Sequence, residues 1–172
     1  MLHGWDNFYI MAGTAGATLI GLLFVIITLS THLSPSRVER GVRAFLTPTL
    51  VHFGSVLLQA MVVLAPWPSA WPVGVILGLS GLVGLVYLID VVLKRQKVQF
   101  VSLQLLDWIP YAGIPALANL NLIAGAIGMV AEKSFAPYCL AGAITLFLFA
   151  GIYGACDLTL WIVKNPGHGS AT

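Results

Sequence analysis

The chain has 172 residues, 59% of them hydrophobic and 8% charged, with a mean hydropathy of +0.95 and a formal net charge of +2. A water-soluble domain carries about 25% charged residues, so this composition excludes water as the principal solvent; no nucleic-acid partner is expected. The charge-free runs 7–36, 44–89, 108–131 and 134–156 are each long enough for the roughly 20 apolar residues of a membrane-spanning helix. They leave room for one domain, residues 1–172, and for no separate soluble unit.

The residues before the first apolar run contain Asp6 but no Lys or Arg, so that run reads as a retained helix and not as a cleaved secretory signal. A first helix is expected over about 8–31, ending where Ser34-Pro35-Ser36 introduces turn chemistry ahead of Arg37, Glu39, Arg40 and Arg43. A second is expected over about 44–64. Next come Pro66, Pro68 and Pro72 with Trp67 and Trp71, a run that cannot continue a helix and suits a tight hairpin at a membrane–water boundary. The third, about 73–93, stops at Lys94-Arg95-Gln96-Lys97, and the fourth and fifth, about 108–131 and 137–163, are divided at Glu132-Lys133. The fourth is the least regular. Pro110, Pro115, Asn119 and Asn121 interrupt it, and residues 98–106 either lie along the interface, with Asp107 capping the span, or begin one long kinked helix.

Continuous apolar runs of this length are helices and not barrel strands, which would be about ten alternating residues. The expected fold is therefore an all-α integral membrane bundle of five transmembrane helices. Odd crossings put Arg37, Arg40, Arg43, Lys94, Arg95, Lys97 and Lys164 on one side and Lys133 on the other. That bias makes the first side cytoplasmic, with the N-terminus outside and the C-terminus inside. Trp5, Trp67 and Trp71 then fall at outer helix ends, and Trp108 and Trp161 at inner ends, as interface anchors require.

Small residues recur at helical spacing: Gly13, Ala17 and Gly21 with Gly16 beside them; Gly74, Gly78, Gly81 and Gly84; Ala150, Gly151, Gly154 and Ala155. Such faces let another backbone approach closely, either inside the monomer or at a subunit interface. Polar residues in the spans are few. His52, Ser55 and Gln59 share one face of the second helix, and Asn119 and Asn121 lie at similar depth on the fourth. Together they form either an interhelical hydrogen-bond set or the lining of a proton or solute path. Asp90 is placed to pair with Lys94. Asp157, about 10 Å inward of Lys164, either pairs with a cytoplasmic-side Arg or Lys or marks a cation route.

No H-E-x-x-H, C-x-x-C, G-x-S-x-G or nucleotide-binding glycine loop is present. The four histidines are scattered, and Cys139 and Cys156 sit about 25 Å apart along one helix, too far to pair. No catalytic residue, metal or cofactor is expected.

The opening Trp5-Asp6-x-Phe8-Tyr9, followed by Gly13, Ala15, Ala17 and Gly21-Leu22-Leu23-Phe24-Val25, resembles the N-terminus of a group of small bacterial multi-pass proteins, some labelled as modulators of a membrane-bound AAA protease. The resemblance covers roughly the first 30 residues and implies a bacterial inner-membrane setting. The sequence thus points to a non-catalytic membrane protein that self-associates or serves a larger membrane complex, with the lipid bilayer and a homo-oligomer or larger complex as its partners. The competing readings are a homo-oligomeric channel around the polar residues and, last, a lipid-modifying enzyme.

Overall fold

The computed structural model describes residues 4–31, 35–97 and 109–164. Among them the chain is all-α, with helices α1 (Asp6–Thr31), α2 (Pro35–Leu64), α3 (Ala70–Lys97), α4 (Ile114–Val130) and α5 (Ala136–Lys164). A one-turn π-helical segment, Ile109–Gly113, runs into α4. All five helices are long and apolar enough to cross a membrane, the fourth span including the π turn.

Helix boundaries differ from expectation where charge was read as loop. Helix α2 starts at Pro35, so the stretch holding Arg37, Glu39, Arg40 and Arg43 is its first turns and not a connector. Proline fits a first helical position because its missing N–H would have no partner there, and charge ends an apolar span without ending a helix. The same reasoning carries α3 to Lys97 at one end and back to Ala70 at the other, with Pro72 tolerated in its first turn. Between α2 and α3 the Trp67 indole donates to the Val62 carbonyl at 2.7 Å, capping one of the last-turn carbonyls that a helix leaves open. Helix α2 also passes through Pro48 without ending.

The proline-interrupted fourth span stays helical from Ile109 to Val130. Pro115 has no N–H to give to the preceding turn, and the wider π turn, of a kind usually found as a single turn within a helix, accommodates it. Residues 98–106 and the Asp107 cap lie outside the described residues. Past α4, Lys133 N–H returns to the Gly128 carbonyl at 2.8 Å with Glu132 at φ 52°, a left-handed helix ending in which glycine is the usual residue.

The helices are not arranged in chain order. α1 packs on α2, α2 on α5, α5 on α4 and α4 on α3, while α2 and α3 meet only narrowly. The last helix is therefore the centre of the bundle, and α1 and α3 are its flanks. Leu140, Ala143, Ile144 and Phe147 of α5 join Val56 and Val63 of α2 and Leu122, Ala126 and Met129 of α4 in the main core. Leu23, Phe53 and Leu158 form a second cluster between α1, α2 and α5.

Small residues set these contacts. A Cβ added at Gly13 would stand 3.0 Å from Ala60, and one at Gly16 would stand 3.2 Å from the Phe53 carbonyl, so α1 meets α2 backbone to backbone. Gly74, Gly78 and Gly81 lie in the same way against Val130, Ala126 and Ile123 of α4, and Gly84 receives the side chain of Asn119. Gly151 and Gly154 admit Phe53 and Thr49 of α2. Ala17 and Gly21 are the exception to the expected stripe. Both are exposed, and a Cβ at Gly21 would meet nothing within 4 Å. Steps of four residues precess around a helix of 3.6 residues per turn, so the face of α1 that reaches α2 is Tyr9, Ala12, Gly13, Gly16 and Leu23, all buried.

Candidate functional site

The polar residues of the spans do not meet in one patch. α5 stands between α2 and α4, so the set on α2 and the asparagines of α4 belong to different interfaces. Asn119 is 4% exposed. Its side-chain amide donates to the Pro115 carbonyl at 2.8 Å and fills the space left by Gly84 on α3. Asn121 is two positions on, roughly 200° around the helix, and donates to the Leu117 carbonyl at 3.1 Å. Each amide thus bonds the carbonyl four residues before it on its own helix. Pro115 deprives a carbonyl in the turn before it of its usual donor, and the two asparagine amides bond the Pro115 and Leu117 carbonyls, not one in that turn. Asn121→Ala is accordingly expected to change unfolding free energy by less than about 0.5 kcal/mol. Asn119→Ala, which empties the space opposite Gly84, is expected to cost about 1–2 kcal/mol, both read by reversible denaturation in detergent micelles.

On α2, Ser55 donates to the Val51 carbonyl at 2.7 Å and is satisfied within its own helix. His52 and Gln59 are different. The His52 ring lies on Phe147 of α5 with centroids 6.0 Å apart and planes 34° apart, and its Nδ1 is buried with no hydrogen-bond partner. Gln59 is 2% exposed, and its Oε1 is likewise buried and unpartnered. The Tyr9 hydroxyl on α1 is a third such atom. In the sequence Tyr9 stood only as part of the opening aromatic motif; here its ring is fully buried beside Phe8 and Trp5, and Trp5 in turn meets Tyr138 of α5 edge-on at 5.0 Å.

At the other end of the bundle Asp157 accepts a hydrogen bond from the Tyr111 hydroxyl. Tyr111 comes from the π turn and stacks edge-on against Tyr153 of α5, with centroids 5.7 Å apart. Among the described side chains the partner of this carboxylate is a tyrosine; the cytoplasmic-side Arg and Lys expected for it lie outside the described side chains. The sequence signal was a tyrosine between two prolines, whose role depends on where the π turn aims it. The pairing expected between Asp90 and Lys94 lies outside the described side chains.

Among the described residues no three His, Cys, Asp or Glu side chains gather as a metal site would require. Cys139 and Cys156 are free thiols, half-buried and exposed. A wholly apolar groove of about 400 Å³ runs between α3 and α4, lined by Gly74, Gly78, Leu82, Ile123 and Ile127 among others.

No protein-family model matches this chain, and no curated protein and no solved structure matches it.

Proposed function

We propose that the protein is a non-catalytic multi-pass subunit of the bacterial inner membrane that joins its assembly through the outward face of α1. In this reading all five helices cross the bilayer, the N-terminus is outside, and the basic stretches around Arg40 and Arg95 face the cytoplasm, following the excess of Lys and Arg on that side. Lipid covers the exposed apolar residues, among them Phe24 and Val25 on α1 and Leu82, Val83 and Val86 on α3.

One observation supports this reading above the others. The small-residue faces of α3 and α5 are occupied inside the chain, whereas Thr14, Ala17, Thr18 and Gly21 of α1 all point outward. Thr14 and Thr18 return their hydroxyls to the Ile10 and Thr14 carbonyls at 2.8 Å, so that face is smooth and without unmet polar groups. In hydrocarbon, close packing of small residues is a main source of helix association. A second copy and a different membrane protein are both admissible occupants, and a membrane protease complex is the partner class that the opening segment's resemblance suggests. An oligomeric channel draws less support, because α5 packs between α2, with His52 and Gln59, and α4, with Asn119 and Asn121.

Gly21→Ile is expected to abolish the association seen by native mass spectrometry of protein released with its own membrane. The unfolding free energy of the monomer should stay within about 0.5 kcal/mol, as for other exposed positions free of special contacts. A wild-type protein that is monomeric in that measurement, with no bound partner, would remove the proposal.

A further inference from the structure

Helix α2 presents His52, Val56, Gln59 and Val63 at spacings of four, three and four, so they lie along one face. Tyr9 from α1 and Leu140, Ile144 and Phe147 from α5 are buried in the same apolar cluster as Val56 and Val63. Within this seam the Tyr9 hydroxyl, Gln59 Oε1 and His52 Nδ1 are buried, and none has a hydrogen-bond partner. Tyr9 is 0% exposed and Gln59 2% exposed. A folded protein leaves few buried polar side-chain atoms unbonded, and three along one seam call for partners supplied by a ligand.

The spacing selects its size. Seven residues of α2 separate Gln59 from His52, about 10 Å along the helix, too far for a direct bond. Gly13 of α1 packs against Ala60 of α2. Because α1 and α2 run antiparallel, Tyr9 lies about one turn beyond Gln59 towards the hairpin, roughly 6 Å along the axis. The chemistry selects its type. A tyrosine hydroxyl donates and accepts, an amide oxygen accepts, and an imidazole Nδ1 does either according to tautomer. Groups spread over about 16 Å along the seam are reached by several ligands in a chain and not by one, each small, neutral and able both to donate and to accept. Among the described residues a cation would find no buried counter-charge here, since Asp6, one turn before Tyr9, is exposed and Asp157 is engaged by Tyr111 at the opposite end of the bundle.

We propose that the α1/α2/α5 seam is an internal water-binding site in which bound water links Tyr9, Gln59 and His52 inside an otherwise apolar core. Buried waters of this kind make about three hydrogen bonds to groups left open by the protein. The site is independent of the outward face of α1 proposed for assembly, because Tyr9 and Gln59 lie on the inner side of the α1–α2 contact.

X-ray radiolytic footprinting of the full chain in lipid nanodiscs, read by mass spectrometry, tests the site directly, since radicals formed from bound water oxidise the side chains beside it. Phe147 and Phe53 make a matched pair: both are buried phenylalanines, at 3% and 0% exposure, and it is Phe147 whose ring lies against the His52 imidazole. Phe147 and Tyr9 are expected to label several-fold faster than Phe53, and Gln59→Leu should bring Phe147 down towards Phe53. Equal, slow labelling of Phe147 and Phe53 in the wild-type chain would mean a dry seam and overturn the proposal. Melting temperature supplies a second reading through the nearly isosteric Tyr9→Phe. A bridged hydroxyl is missed, and the melting temperature falls; an orphaned hydroxyl is not missed, and a rise would overturn the proposal.

Discussion

Replacing Gly74 by leucine is expected to separate α3 from the rest of the bundle. A single Cβ at this position would stand 2.7 Å from the Val130 side chain and 2.8 Å from the Ala126 carbonyl oxygen. Side chains can turn away, but a backbone carbonyl inside α4 cannot move without bending that helix. Gly74→Ala alone should cost about 1–3 kcal/mol as an overpacked contact, and leucine at least as much, because its Cβ meets the same carbonyl before the branch can turn into the groove beside Gly78. The effect falls on one helix because α3 has one broad interface, with α4, and only 11% of its span is buried. Reversible unfolding in micelles measures the loss. Cross-linking locates it: a Cβ at Gly78 would lie 3.4 Å from that of Ala126, close to the separation that a disulfide spans. The pair Gly78→Cys and Ala126→Cys, made with Cys139→Ser and Cys156→Ser, should therefore oxidise readily in the parent chain. It should fail to do so when Gly74→Leu is added. Efficient cross-linking in the presence of that leucine would show that α3 and α4 pack differently.

The second large effect is expected at Tyr111. Its hydroxyl donates to Asp157 and ties the π turn at the start of the fourth span to the central helix. A hydrogen bond to a charged group contributes about 1.5–3 kcal/mol, so Tyr111→Phe should lower stability by that amount while keeping the ring on Tyr153. Asp157→Asn should cost less, since an amide oxygen still accepts from the hydroxyl. The double-mutant cycle of Tyr111→Phe with Asp157→Ala isolates the shared energy, because neighbouring groups are not additive. A coupling indistinguishable from zero would mean that the two side chains do not meet in the membrane. The prolines on either side, Pro110 and Pro115, make this turn the least self-sufficient part of the span.

These two residues also mark where sequence reading succeeds and stops. The glycines at 74, 78, 81 and 84 were recognisable as a packing face from their spacing alone, because close approach needs the absence of side chains and glycine declares that absence. The small residues of α4 that meet α5, Gly125 against Leu140 and Gly128 against Ala136, carry the same signal and were passed over in favour of the nearby prolines and asparagines. Tyr9 and Thr49 were missed for another reason. Thr49 is 1% exposed and sits against Gly154, but nothing in the residue itself distinguishes a buried threonine from one facing lipid.

Residue chemistry and run length determined that this is an all-helical chain with five apolar spans and a proline-tryptophan hairpin after the second. Those properties are local: hydropathy, turn residues and helix length are set within some twenty neighbouring positions. Only the tertiary structure decided that α5 lies at the centre, that it separates Asn119 and Asn121 from His52, and that the stripe on α1 divides into an inner face and an outer one. A helix that is apolar all round carries no amphipathic stripe to say which side is buried, so neighbour order rests on the fit of particular surfaces. Here glycine, alanine and threonine on one helix receive leucine, phenylalanine and asparagine from the next, and that fit exists only once the helices are side by side.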